Sequence, residues 1–235
     1  MPNFEAGYAV VIPPGTDTSR FSPPGKNKLP DTVVQMVDRF LERPDKPMIL
    51  TICRPDARKN LQRLMQAYGE SKALQERANL VIVAGNRGDI QSMDEAQQQV
   101  LTDLLLALDR YDLWGKVALP KHHAVEDMPE LYRLATRRGG VFVNPALTEP
   151  FGLTLIEAAA SGLPIVATED GGPKDITSNC RNGVLIDPLD TTAMAQALFD
   201  AMENKKIWRS WSRNGVNGVK RHYSWDAHVN KYLMY

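Results

Sequence analysis

Glu149 and Glu157 stand eight positions apart, on either side of the run Pro150-Phe151-Gly152-Leu153-Thr154-Leu155-Ile156. Ionised carboxylates only accept hydrogen bonds, so two of them facing one ligand suit a molecule rich in hydroxyls. The run joins an apolar segment at 140–145 to an alanine-rich one at 158–162, a pattern that reads as strand, loop and helix. In an open parallel sheet a ligand sits outside the carboxyl end of a strand and against the amino end of the next helix, where free backbone N–H groups suit a phosphate. A phosphorylated, hydroxyl-rich ligand, that is a nucleotide sugar, meets both requirements. The competing reading makes Glu149 a helix cap and Glu157 part of a solvated helix face.

Other strand ends carry chemistry of the same kind. Arg54, Arg58 and Lys59 crowd a helix start after the run ending at Cys53, where the helix dipole favours acids. A diphosphate would supply the missing negative charge; a solvated basic turn would not need one. Gly85-Asn86-Arg87-Gly88-Asp89 allows close approach of backbone to a ligand, and Pro120-Lys121-His122-His123 places two histidines at another strand end. No third ligand at metal spacing accompanies them, so no metal site is expected. Glu169-Asp170-Gly171-Gly172-Pro173 is a fifth loop of this type. Dinucleotide-binding, P-loop and nucleophile-elbow motifs are all missing from the sequence.

The elements that must position these loops follow from periodicity. Apolar runs predict strands at 47–53, 79–84, 117–119, 140–145, 163–168 and 183–186. Amphipathic spacing predicts helices at 60–68, 93–108, 128–136, 191–202 and 206–220, one after Glu149 and a last one from 225. Apolar strands alternating with such helices imply an α/β fold, a doubly wound, Rossmann-like parallel sheet covered on both faces. Ahead of it come a strand-like run at 9–12, a proline-rich loop, and a helix at 31–42 capped by Asp31. The expected division is a linker and first-strand region at 1–30, a nucleotide-sugar-binding domain at 31–222 and a C-terminal helix at 223–235. A strand-like run so near the start reads as part of something longer.

The chain has 235 residues with 28 basic and 28 acidic side chains, a balance that argues against general nucleic-acid or membrane-surface binding. No apolar run reaches the roughly 18 residues of a membrane span. Cys53 and Cys180 are the two cysteines, without metal-ligand spacing; reduced thiols and a cytoplasmic protein are expected.

A family resemblance rests on Val11-Ile12-Pro13-Pro14-Gly15, Arg54-Pro55-Asp56 with Lys59-Asn60, Gly85-Asn86-Arg87, Pro120-Lys121-His122-His123, Asn144-Pro145-Ala146, Glu149 through Ala159, and Gly162-Leu163-Pro164 through Gly171-Gly172-Pro173. Glu149 and Glu157 resemble the Glu-x7-Glu signature of retaining, two-domain GT-B glycosyltransferases of family 4. The Arg-Pro-Asp and Pro-Lys-His-His elements narrow the resemblance to sucrose-type enzymes, and over these motifs together the chain most resembles the sucrose-phosphate synthases. It implies one half of a GT-B fold and transfer of glucose from UDP-glucose to fructose 6-phosphate, giving sucrose 6-phosphate and UDP, with retention and without a cofactor or an obligatory metal. It also implies a catalytic set of Arg54 and Lys59 on the diphosphate and Glu149 on the glucose hydroxyls. Phe151, Gly152, Leu153 and Thr154 would hold glucose and phosphate through their backbone, Glu157 the ribose hydroxyls, and Asn86 and His122 would lie near the uridine or phosphates. The family's preceding domain, which supplies most of the acceptor site, has no counterpart in these residues. A domain that binds the donor and transfers poorly alone is therefore expected. The last helix would cross to the missing domain; here its apolar face is expected to be exposed or to cover the open edge, favouring self-association. Alternatives are a sucrose synthase, another family 4 hexosyltransferase using GDP-mannose or ADP-glucose, or a noncatalytic nucleotide-binding module.

Overall fold

The computed structural model describes residues 10–234. In chain order it contains α1 (Asp31–Asp38), β1 (Met48–Cys53), α2 (Leu61–Glu70), α3 (Lys72–Arg77), β2 (Asn79–Ala84), α4 (Glu95–Arg110), β3 (Val117–Ala118), α5 (Asp127–Arg137), β4 (Val141–Asn144), α6 (Leu153–Ala160), β5 (Ile165–Thr168), α7 (Pro173–Cys180), β6 (Gly183–Ile186), α8 (Thr191–Glu203), α9 (Lys205–His222) and α10 (Trp225–Tyr232). The strands form one sheet in the order β3-β2-β1-β4-β5-β6, with every neighbouring pair parallel. Strand order reverses between β1 and β4, so the crevice for a ligand lies outside their carboxyl ends.

The strands read as nearly continuous apolar runs because both faces are covered. Ile49, Leu80, Ile82, Val141 and Val143 pack under α2, α3, α4 and α8. Their alternate neighbours Leu50, Ile52, Val81, Val83 and Phe142 pack under α1, α5, α6, α7 and α9. In α2 the buried residues Leu61, Leu64, Met65 and Tyr68 follow the spacing of one helical face. Side-chain oxygens of Asp94, Asp190, Asn204 and Ser224 accept from backbone N–H groups in the first turns of α4, α8, α9 and α10, which fixes where those helices begin.

Several expectations need correction. Val10 to Ile12 form no strand, and Val11 is 81% exposed; Ala9 lies outside the described residues. Pro13 and Pro14 follow at once and cannot donate to a ladder. Asp31 does not cap α1: Pro30 holds that position, and Asp31 is the first helical residue, paired with Lys28 at 2.6 Å. Asn60 lies outside α2 in a left-handed conformation, φ 56°. Helices α3 and α7 are additions. Gly171, Gly172 and Pro173 look like breakers, yet Pro173 occupies the first turn of α7, where its missing N–H costs nothing. Among the described residues, no helix is long and apolar enough to cross a membrane.

Candidate functional site

A cleft of about 570 Å³ opens at the carboxyl ends of β1, β2 and β4 and runs to the start of α6. Its floor is apolar and includes Ile52, Val83 and Phe142; its polar groups come from Arg54, Lys59, Asn144 and Glu149. Lys59 enters it because the chain leaving β1 makes a short 3-10 turn, Ala57–Lys59, which Asp56 caps by accepting from the Arg58 N–H. The left-handed Asn60 then reverses the path into α2, and its amide donates to the carbonyls of Pro145 and Pro188, both at 2.9 Å. One buried side chain thus ties the loops after β1, β4 and β6 together.

Glu149 reaches the cleft from the other side. Its loop forms a parallel bridge with Gly171: the Glu149 N–H donates to Asp170 O at 3.2 Å, and the Gly172 N–H to Glu149 O at 2.9 Å. A side chain at Gly171, φ +94°, would place its Cβ 2.2 Å from the Glu149 carbonyl oxygen. Lys59 Nζ donates to Glu149 Oε2 at 2.7 Å, and Asn144 Nδ2 donates to the same oxygen at 3.1 Å. Burial pushes the Glu149 carboxyl up, but the hydrogen bonds from Lys59 and Asn144 and the charge of Lys59 outweigh it and leave the carboxyl below its ordinary range.

The cluster of three cations resolves differently from its sequence reading. Arg58 pairs with Asp56 at 2.7 Å on the surface, and Lys59 pairs with Glu149. The anions beside these two cations are therefore carboxylates of the protein, one from the turn itself and one from the loop after β4. Arg54 alone of the three has no carboxylate partner among the described residues, and it lines the cleft.

Phe151, Gly152, Leu153 and Thr154 all line the cleft. Gly152 adopts φ +104° just before α6, and no side chain among the described residues caps that helix. The N–H groups of the cleft residues Leu153 and Thr154 therefore have no intrahelical partner, whereas that of Leu155 donates to Gly152 O at 3.0 Å. Cys53, a free thiol, also lines the cleft; burial pushes it up to about 12, so it is a neutral group there and not a nucleophile.

Glu157 is not on this wall. It lines a smaller adjoining pocket of about 380 Å³ together with Arg20, Phe21, Asn86, His123, Val125 and Met128. Burial raises its carboxyl above the ordinary range, against a hydrogen bond from Tyr132 Oη at 3.0 Å. His123 belongs to both cavities and forms their shared wall.

His122 is exposed and lines neither cavity; its neighbour His123 holds that place. Asn86 reaches the smaller pocket, but both ends of its amide are engaged: Nδ2 donates to His123 O at 3.0 Å and Oδ1 accepts from the His123 N–H at 2.7 Å. Arg87 is likewise engaged by the carbonyls of Leu119 and Pro120. The Gly85-Asn86-Arg87 loop therefore staples the histidine loop in position. Sequence reasoning took the first of the two histidines into the site where the structure places the second, His123, and gave no role to Cys53, Asn144 or Tyr132; of these, Asn144 was marked by being the polar end of an apolar run. Among the described residues no group of three or more His, Cys, Asp or Glu is placed to hold a metal ion.

Comparison with known proteins gives three results. The family described as glycosyl transferases group 1 matches residues 35–217. Sucrose-phosphate synthase of Zea mays is 48% identical over 95% of the chain, and that of Spinacia oleracea 45% over 94%; the chain spans 23% and 22% of their lengths. A sucrose-phosphate synthase from Thermosynechococcus elongatus superposes with a TM-score of 0.75 at 27% identity, covering 95% of this chain and 50% of that one. Anabaena HepE in complex with UDP and glucose superposes at 0.77, over 98% of this chain and 57% of that one; at 17% identity it bears on the fold alone. The six-stranded parallel sheet is thus the fold found in GT-B glycosyltransferases.

Proposed function

The chain belongs to the glycosyl transferases group 1 family, and from that premise we propose that it is the donor-binding domain of a sucrose-phosphate-synthase-type enzyme. The reaction is transfer of glucose from UDP-glucose to fructose 6-phosphate, giving sucrose 6-phosphate and UDP. The observation that carries this reading is the Lys59–Glu149 pair, set beside Arg54 in a cleft at the topological switch point. A lysine ammonium has three donors, and Glu149 occupies one; the others and the Arg54 guanidinium serve the diphosphate. Held in the cleft, they stabilise the charge that develops on departing UDP, the largest contribution such a site can make. The N–H groups at the start of α6 bind phosphate and glucose, and Glu149, kept ionised, accepts from glucose hydroxyls. Glu157 accepts from the ribose in the adjoining pocket, with His123 between the two.

The acceptor phosphate is read by a preceding domain, to which α10 crosses. That helix has no fully buried residue, and Trp225, Val229, Tyr232 and Leu233 are all exposed. Two free cysteines fit a reducing cytoplasm. Calorimetric titration with UDP, UDP-glucose, GDP and ADP tests the reading. Selective UDP binding, weakened in both Lys59→Ala and Glu149→Ala, is expected; unchanged affinity in the two variants would overturn it.

A further inference from the structure

Among the described residues two tyrosines are fully buried, Tyr68 and Tyr132, and their hydroxyls are treated differently. Tyr68 donates to backbone carbonyls, Ala78 O at 2.8 Å and Lys116 O at 3.3 Å, as a core tyrosine does when its hydroxyl merely needs a partner. Tyr132 donates instead to the Glu157 carboxylate, which lines a cavity. Its ring is clamped between Phe21, centroids 5.9 Å apart, and Phe142, 5.6 Å apart, so the hydroxyl has one direction to point. Glu157 has no ion-pair partner among the described residues, and its second oxygen accepts no hydrogen bond from them. Arg20, the cation that acts on it through space, directs its guanidinium to the Val125 carbonyl.

We propose that Tyr132 is a positioning residue that holds one oxygen of Glu157 so that the other faces the hydroxyls of the bound nucleotide's ribose. This rests on reading Glu157 as the ribose contact. A carboxylate on a helix can swing about its own torsions, and a single donor on a rigid ring removes that freedom before the ligand arrives, which is where preorganisation strengthens binding. The same bond opposes the burial that drives this carboxylate toward the neutral form.

The test compares UDP with 2′,3′-dideoxy-UDP, which lacks the hydroxyls but keeps the base and diphosphate. Calorimetry on the wild-type chain should show UDP bound about tenfold more tightly, the worth of hydrogen bonds to a charged group. Glu157→Ala should remove that preference. Tyr132→Phe should bring the ratio to within about twofold of one while leaving dideoxy-UDP affinity unchanged. Replacement of Tyr132 by 3-fluorotyrosine, a stronger donor of nearly the same shape, should raise the ratio, and this arm stands even if the phenylalanine variant folds poorly. Equal weakening of both ligands in Tyr132→Phe, or a ratio that 3-fluorotyrosine leaves unchanged or lowers, would make Tyr132 a packing residue and overturn the proposal. A wild-type chain indifferent to the ribose hydroxyls, or a preference that survives Glu157→Ala, would instead remove the Glu157 reading on which the proposal stands.

Discussion

Glu149 and Glu157 are the same residue, eight positions apart and both largely buried, yet their surroundings push them in opposite directions. Glu149 has a lysine at 2.7 Å and an amide at 3.1 Å on one oxygen, and its carboxyl lies below the ordinary range. Glu157 has burial and one neutral hydroxyl, and its carboxyl lies above it. Burial alone favours the protonated form of either, so the sign is decided by whether a cation is bonded to the carboxylate: Lys59 is hydrogen-bonded to Glu149, whereas Arg20 acts on Glu157 only through space. The first is an anion clamped beside a cation at the switch point of the sheet; the second is held by a neutral donor in a smaller pocket.

The largest disturbance of this contrast should come from Gly171→Ala. Its Cβ would collide with the Glu149 carbonyl oxygen in a backbone conformation that side chains rarely adopt. A loss of about 3 kcal/mol or more in urea denaturation is expected, from strain and broken backbone pairing. UDP-glucose affinity should fall with it. Lys59→Ala should cost somewhat less, about 2–3 kcal/mol, because it leaves a largely buried carboxylate with neutral donors only, the Asn144 amide and the Phe151 N–H. It should also move the Glu149 carboxyl upward, as measured by carboxyl-carbon NMR titration, so that the two glutamates come to resemble each other. If Glu149 stays low in that variant, Lys59 is not what holds it there.

Acid should separate the pair in a fixed order. Glu157, raised in the folded state, takes up its proton first as pH falls; the stability penalty of keeping it ionised is present above its folded value and disappears below its unfolded one. Glu149, depressed in the folded state, stabilises the fold above its unfolded value and loses that contribution only as pH falls through the lower folded value. Titration in the reverse order would invalidate the contrast. The smallest effect is expected at Arg58→Ala: although Arg58 holds the Asp56 carboxyl down to about 2, this pair is solvated, and the denaturation midpoint should not move measurably.

The sheet was legible because β1 and β2 are short, almost wholly apolar runs, too short for a core helix and too apolar for any place but a strand covered on both faces. Helix α7 was not, since Gly171, Gly172 and Pro173 signal a turn in isolation and only the bridge to Glu149 gives the glycines another purpose. In the site, Lys59 and Glu149 each stood out by type and place, but a contact across 90 positions leaves no mark on either segment. The choice between His122 and His123 depends on which of the two the Asn86 amide grips, 37 positions away. Tyr132 lies on the buried stripe of α5 with Leu131 and Ala135, where its ring reads as core and its hydroxyl gives no separate signal.

The Asn60 amide, shared between Pro145 and Pro188, has a consequence for how this edge can change over time. A drifting sequence usually alters binding loops one by one, each free to vary while its neighbours hold function. Here the loops after β1, β4 and β6 meet on one side chain in a left-handed turn, so a length change in any of them displaces the other two. Insertions should therefore accumulate in loops outside this junction, and divergence in the nature of the sugar should proceed by exchange of side chains on a fixed frame.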